Sequence, residues 1–176
     1  TVVAQMTNWP AVTVLLPGDS GADGTSHLVS HATAGDLAAT DAWDISSAQG
    51  IIGRAFRTKQ AQYVPDVSAD PDYVSADPAV CSEIAVPLRR GARVLGVLNV
   101  ESDRVAAFDA NDVLLAESLA EAIALALDNA RLHTEMTEHA DDLAGLYTIA
   151  HIVSQSLVLE DTLSEALSSI LLSLNF

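Results

Sequence analysis

Basic residues are scarce. Eight Lys and Arg stand against 24 Asp and Glu in 176 residues, a formal charge of −16. Nucleic-acid affinity rests on Lys and Arg meeting phosphates, so this composition excludes a nucleic-acid partner. It equally excludes attraction to an anionic membrane surface. Cysteine occurs once, as Cys81, so no internal disulfide can form. Aromatic residues are only 5% of the chain, which leaves the core to Ala, Val, Leu and Ile. No apolar run approaches the roughly 18 residues of a membrane-spanning helix, and no signal peptide is visible. A cytoplasmic location without direct membrane contact is expected. What the chain does have is apolar content, 49% of its residues, and length enough for one buried domain with a modest extension.

The hydrophobic pattern starts with strands. Ala11 to Leu16 is bounded by Pro10 and by Pro17-Gly18, and Ser26 to Thr33 alternates as its antiparallel partner. Asp19 to Gly24 between them is a turn of Gly, Asp and Ser. Asp36 to Asp44 reads as a loop or short helix leading to Ile45. Gly50 to Thr58 has helical spacing, with Ile51, Ile52 and Phe56 inward and Arg54, Arg57 and Lys59 outward. Gln62 to Pro65 is a short strand, and Asp66 to Val80 a long connection dense in Asp, Ser and Pro. Glu83 to Leu88 and Arg93 to Glu101 are strands around the basic turn Arg89-Arg90-Gly91-Ala92, where Gly91 can take positive φ. Pro87 donates no ladder hydrogen bond, so that end should lie at a sheet edge or just before the turn.

From Asp109 the pattern is helical. Asp109 is the expected N-cap, and Asp112 three residues on serves the first turn. Leu115, Leu119, Ala122 and Ala126 form a stripe, widened by Ile123, Leu127 and Ala130. Met136, Ala140, Leu143, Tyr147 and Ala150 continue it, with Asn129 and His133 interrupting the seam. The reading is a packed helix to about Leu132, then a coiled-coil connector that makes the chain a homodimer.

Three segments together resemble a GAF domain: Ser82–Pro87, Gly96–Val100 and the helix entry Phe108–Asp112. Gly50 and Gly53 match that family's Gly-x-x-Gly helix opening. The resemblance implies an α+β fold (an α/β sandwich), with a central antiparallel sheet of five or six strands and helices on both faces. A long C-terminal signalling helix would follow. The expected organisation is a domain over 1–132 lacking its first helix, a connector over 133–158, and the start of a second such domain or a core-completing helix over 159–176. Val2 to Trp9 resembles the end of an opening helix. A break at Ser156-Leu157-Val158-Leu159 would let Asp161 to Leu174 fold back or reach a partner chain.

The resemblance specifies fold better than function. Family members that reduce free methionine sulfoxide need a nucleophilic cysteine and a resolving partner, and Cys81 is alone. His27 and His31 lack a third metal ligand, and His133, His139 and His151 lie on the connector. Cyclic-nucleotide binders carry an Asn-Lys-x-Phe-x-x-x-Asp-Glu signature. Here Asn99, Phe108 and Asp112 remain, but Val100 and Val113 replace the Lys and Glu, so the three are read as fold elements. Cys81 is followed by Ser82 rather than His, which argues against bilin, and His31 is a weak haem candidate. No bilin, haem or metal is expected. A small-molecule ligand, if bound, would lie between the sheet and the Gly50–Val80 region. Its candidate lining is Leu28, Ile52, Phe56, Val64, Tyr73, Cys81, Glu83 and Ala85. Arg89, Arg90 and Arg93 read as a solvated hairpin. The expected function is a non-catalytic sensory domain of a longer cytoplasmic signalling protein, such as a sensor histidine kinase or cyclase. A structural dimerisation spacer is the alternative, and an enzyme of the free methionine sulfoxide reductase type comes third.

Overall fold

The computed structural model describes residues 7, 9–18, 26–35, 37, 44–75 and 77–173. The turn at 19–24, and most of the segments expected at 2–9, 36–44 and 174–176, fall outside them. The elements are β1 (Ala11–Pro17), β2 (His27–Gly35), β3 (Asp44–Ser46), α1 (Gly50–Thr58), β4 (Gln62–Val64), β5 (Ser82–Arg90), β6 (Arg93–Ser102) and α2 (Ala110–Ser173). A 3₁₀ turn at Val67–Ala69 interrupts the β4–β5 connection. The six strands form one sheet in the order β3-β2-β1-β6-β5-β4, every neighbour antiparallel. The fold is therefore the α+β sandwich with helices on both faces.

Period-two alternation divides the core. Val12, Ile84, Val86, Leu88, Leu98 and Val100 face one way and pack with Ala116, Ala120 and Ala124 of α2. Leu15, Leu28, Ala85 and Val97 face the other way, under Ile51, Ile52 and Ala55 of α1. The α2 contact stripe is shifted from the one read in the sequence: Leu119, Ile123 and Leu127 do pack against the core, but Leu115 is 42% exposed and the fully buried residues are Ala116, Ala120 and Ala124. Small side chains let that helix approach the sheet closely.

Gly96 is required for strand pairing, because a Cβ there would sit 2.2 Å from the Leu15 carbonyl oxygen. Pro87 lies beyond the end of β4, whose pairing stops at Ala85, so its missing N–H leaves no ladder gap on that side. The start of α2 is a reciprocal capping box. The N–H groups of Asn111 and Asp112 donate to Asp109 Oδ1 at 2.7 and 3.0 Å, and the Asp109 N–H donates to Asp112 Oδ2 at 2.9 Å. Trp9 Nε1 donates to the other Asp112 oxygen at 2.7 Å.

The chain divides into units Thr1–Asp128 and Asn129–Phe176. The second is helical through Ser173, and the break expected at Ser156–Leu159 is absent. Nothing in that stretch is a helix breaker: Ser, Leu and Val cost a few tenths of a kcal/mol to about 0.7 kcal/mol each, far less than proline. Among the described residues no helix is long and apolar enough to cross a membrane.

Candidate functional site

The sheet face under α1 carries a buried polar row. Glu83 on β5 and Glu101 on β6 are direct cross-strand partners. Asn99 stands two residues before Glu101 on the same face and pairs with Thr13 of β1. Thr13 and Asn99 are 1% exposed, Glu83 3% and Glu101 7%. Among the described residues, the buried side-chain polar atoms without a hydrogen-bond partner are Thr13 Oγ1, Glu83 Oε1, and Asn99 Oδ1 and Nδ2. All lie in this row. Native interiors pair nearly all such groups, so a cluster of orphans needs a cause, and a missing polar ligand is one.

Burial governs the electrostatics. Desolvation, reinforced by repulsion from Glu101, pushes Glu83 well above the ordinary carboxylate range, against a smaller opposing pull from Arg54. Desolvation lifts Glu101 to about 7, with Asp77 adding to it; the Asn99 amide, close but outside hydrogen-bonding geometry, pulls the other way. Near neutrality the pair therefore holds at least one proton.

Above the carboxylates is a cavity of about 20 Å³, room for about one water. Ile45, Ile51 and Ile52 wall it, and Tyr73 and Val74 of the β4–β5 connection close it. That connection is strapped to α1. Arg54 grips Asp70 with two nitrogens at 2.6 and 3.1 Å, and also reaches Asp72 at 3.0 Å and Gln62 at 3.1 Å. The Arg54 hydrogen bond holds Asp70 below its usual range. Arg54 is thus a clasp rather than a solvated outer residue. At the other end of the strap the Val67 N–H donates to the Cys81 carbonyl at 3.0 Å.

Of the eight expected lining residues, Ile52, Tyr73 and Glu83 line this cavity. Leu28, Val64 and Ala85 are buried in the apolar cluster, with Phe56 packed against it, because α1 closes directly onto the sheet there. Cys81 stands half-buried just before β5, its Sγ 3.6 Å from the Ala79 carbonyl oxygen, and is not part of the cavity wall. His27 Nδ1 is 2.6 Å from Asp44 Oδ1, so its ring is engaged across β2 and β3. No group of three or more His, Cys, Asp or Glu among the described residues could hold a metal ion. Phe108 is buried edge-to-face against Tyr63, consistent with a fold element. A larger groove of about 440 Å³ lies beside Lys59, Arg89, Glu117 and Glu121, but its charges are exposed and of both signs.

The sequence reading missed Glu101 and Thr13 and took Asn99 as a fold element. The cause is a bulge between Leu88 and Arg89. Without it the tight hairpin would pair Glu83 with Val100, and Glu101 would face the opposite side.

The GAF domain profile matches residues 1–128. The chain belongs to the GAF domain family. It is 35% identical over 80 residues to the free methionine-R-sulfoxide reductase of Saccharomyces cerevisiae, covering 45% of this chain and 44% of that one. It is 39% identical over 66 residues to Protein ZMO0507 of Zymomonas mobilis, covering 37% and 41%. The free methionine-R-sulfoxide reductase of Neisseria meningitidis, solved in complex with its substrate, superposes with a TM-score of 0.64 at 30% identity, covering 75% of each chain. This GAF domain chain spans less than half the length of the curated relatives it matches. The expectation of a non-catalytic sensory domain is overturned by these relatives, two of which are reductases. The inference against an enzyme leaned on the lone cysteine, and it overlooked the buried carboxylate pair Glu83 and Glu101.

Proposed function

We propose that this GAF domain is a thiol-dependent reductase of free methionine sulfoxide or a closely similar small zwitterionic sulfoxide. The observation that carries the proposal is the Glu83–Glu101 pair on a floor of unpartnered polar atoms. An ammonium group suits it, since a cation beside the pair favours the ionised form of Glu101 while the more strongly raised Glu83 keeps its proton. The polar floor of Asn99 and Thr13 offers further donors and acceptors. The similarity to the yeast and Neisseria reductases supports a sulfoxide as the remainder of the substrate.

Cys81 is the only thiol in the chain and supplies the reductant. Its sulfur attacks the sulfoxide sulfur, and Glu83, held protonated by burial, donates to the departing oxygen. The oxygen leaves methionine and ends on cysteine: Cys–SH and the sulfoxide give Cys–SOH and methionine. With no second cysteine, two molecules of an external thiol restore Cys–SH, forming their disulfide and water. Entry requires the strap bearing Tyr73 and Val74 to lift, because the closed cavity holds about one water.

The test is incubation with L-methionine-R-sulfoxide and dithiothreitol, with methionine measured chromatographically. The wild type should form methionine, Cys81→Ser none, and Glu83→Gln at least ~10²-fold less. If the wild type forms none, or if Cys81→Ser is as active, the proposal is wrong.

A further inference from the structure

The β4–β5 connection is held at its ends and little between them. Val67 and Val80 are buried, and none of the described residues between them is. The backbone hydrogen bonds in that stretch are its own: the Tyr73 N–H donates to the Asp70 carbonyl at 3.1 Å and the Val80 N–H to the Asp77 carbonyl at 3.2 Å. Among the described residues, the hydrogen bonds that join 68–75 to another element all come from Arg54 of α1. A segment with so few buried contacts opens locally, without unfolding the sheet. What it covers is the carboxyl pair, since Tyr73 and Val74 close the cavity that Glu83 and Glu101 line.

We infer that the strap is a pH-responsive lid, closed over the carboxyl pair while both acids are neutral and lifted when either is charged. A carboxylate sealed in a space for about one water has lost its hydration, and lifting the strap restores it. The groups around the pair supply no uncommitted cation. β5 and β6 set the two acids against each other, with the neutral Asn99 beside them. β4 offers Val64, β1 Ala11 and β3 Ile45, all uncharged. The strap itself brings Tyr73 and two more acids: Asp77 opposes a charge on Glu101, and Asp70 opposes one on Glu83. Arg54 of α1 is committed to Asp70 and Asp72, and His27 and Asp44 at the β2–β3 edge to each other. Direction and size follow from burial. Under the closed strap Glu101 keeps its proton up to about 7, against 4.5 in water, so rising pH favours the lifted form between those values. Glu101 alone makes the open fraction rise about tenfold between pH 6 and pH 8. Glu83, raised by the same burial, adds in the same direction.

The test is subtilisin cleavage of the full chain at pH 6 and pH 8, with the sites read by mass spectrometry. A synthetic peptide of residues 64–77, digested in parallel, removes the protease's own pH dependence. Relative to that peptide, cleavage within 66–75 should rise at least about tenfold from pH 6 to pH 8. A rise below about threefold overturns the inference. So does an equal rise at sites within β1, β5 and β6, which would mean that the whole domain unfolds and the strap does not lift by itself. Glu83→Gln with Glu101→Gln keeps both shapes and removes both ionisations, so its cleavage should be the same at the two pH values. A rise that survives in this double variant belongs to another group and overturns the inference. None of these readouts depends on reductase activity.

Discussion

Glu101→Gln should make the domain more stable at alkaline pH, although it removes a charge from an already acidic protein. Burial raises the Glu101 carboxyl from 4.5 to about 7. A raised carboxyl means that the folded state holds its proton more tightly than the unfolded chain. The associated stability is therefore complete below pH 4.5 and is lost as pH rises through about 7. Each tenfold change in proton affinity is about 1.4 kcal/mol, so the loss attributable to Glu101 approaches about 3 kcal/mol by pH 8. Glutamine has the same shape and no ionisation, and it also removes the repulsion that helps raise Glu83. Urea unfolding followed by tryptophan fluorescence at pH 5 and pH 8 measures the effect. The native protein should lose stability across that interval. The variant should match it within about 1 kcal/mol at pH 5 and exceed it by about 2–3 kcal/mol at pH 8. Comparing the two cancels the contribution of every group common to both. Parallel stability profiles for the two proteins would show that Glu101 is not held neutral, and would remove the electrostatic basis of the site.

Three further perturbations follow from the same geometry. Arg54→Ala releases Asp70 and Asp72 from α1; it should cost about 1–2 kcal/mol and raise subtilisin cleavage within 66–75 several-fold, read by mass spectrometry. Thr13→Val replaces an unpartnered buried hydroxyl with a methyl of similar volume, so the ligand-free protein should gain about 1 kcal/mol in urea unfolding while losing affinity for the sulfoxide. Gly96→Ala forces a methyl to within 2.2 Å of the Leu15 carbonyl oxygen and should destabilise by about 2–4 kcal/mol, with the β1–β6 amides exchanging fastest.

Most of the sheet was legible because its strands are short, apolar and bounded by turn residues, as at Ala11–Pro17 and at the hairpin around Gly91. The cap at Asp109 was legible because its partner, Asp112, lies three residues away and the bonds are local. The site was half legible. Glu83 stands out as an acid within an otherwise apolar strand, and Ile52 and Tyr73 follow from helix and loop order. Glu101 was hidden by one bulged residue, since a single-residue slip exchanges the faces of every side chain beyond it. Thr13 was hidden because its partner, Asn99, lies on a distant strand that no local pattern identifies. The role of Arg54 was misread for a related reason: its partners Asp70 and Asp72 sit across a long connection, and helical periodicity reports only which way a residue leaves its own helix.

The buried row also bears on why this face should be a site and not an accident of packing. Leaving a polar group without a partner in the interior costs about 1–3 kcal/mol, and a domain's whole stability is only about 5–15 kcal/mol. Thr13, Asn99 and Glu83 together therefore consume a large part of it, on a face where Leu15, Val97 and Ala85 show that apolar residues pack well. Valine or leucine at these positions would give a more stable domain. The row is intelligible if the deficit is recovered on binding, when a ligand's ammonium and hydrogen-bonding groups complete the orphaned atoms and bring Glu101 to its charged form. A ligand that binds only the folded state must then stabilise it. It should do so more at pH 8 than at pH 5, because at pH 8 an ammonium relieves the ionisation that the empty site resists. Thermal melting with and without methionine sulfoxide at the two pH values measures this. An equal shift at both would mean that the ligand does not touch the carboxylate pair.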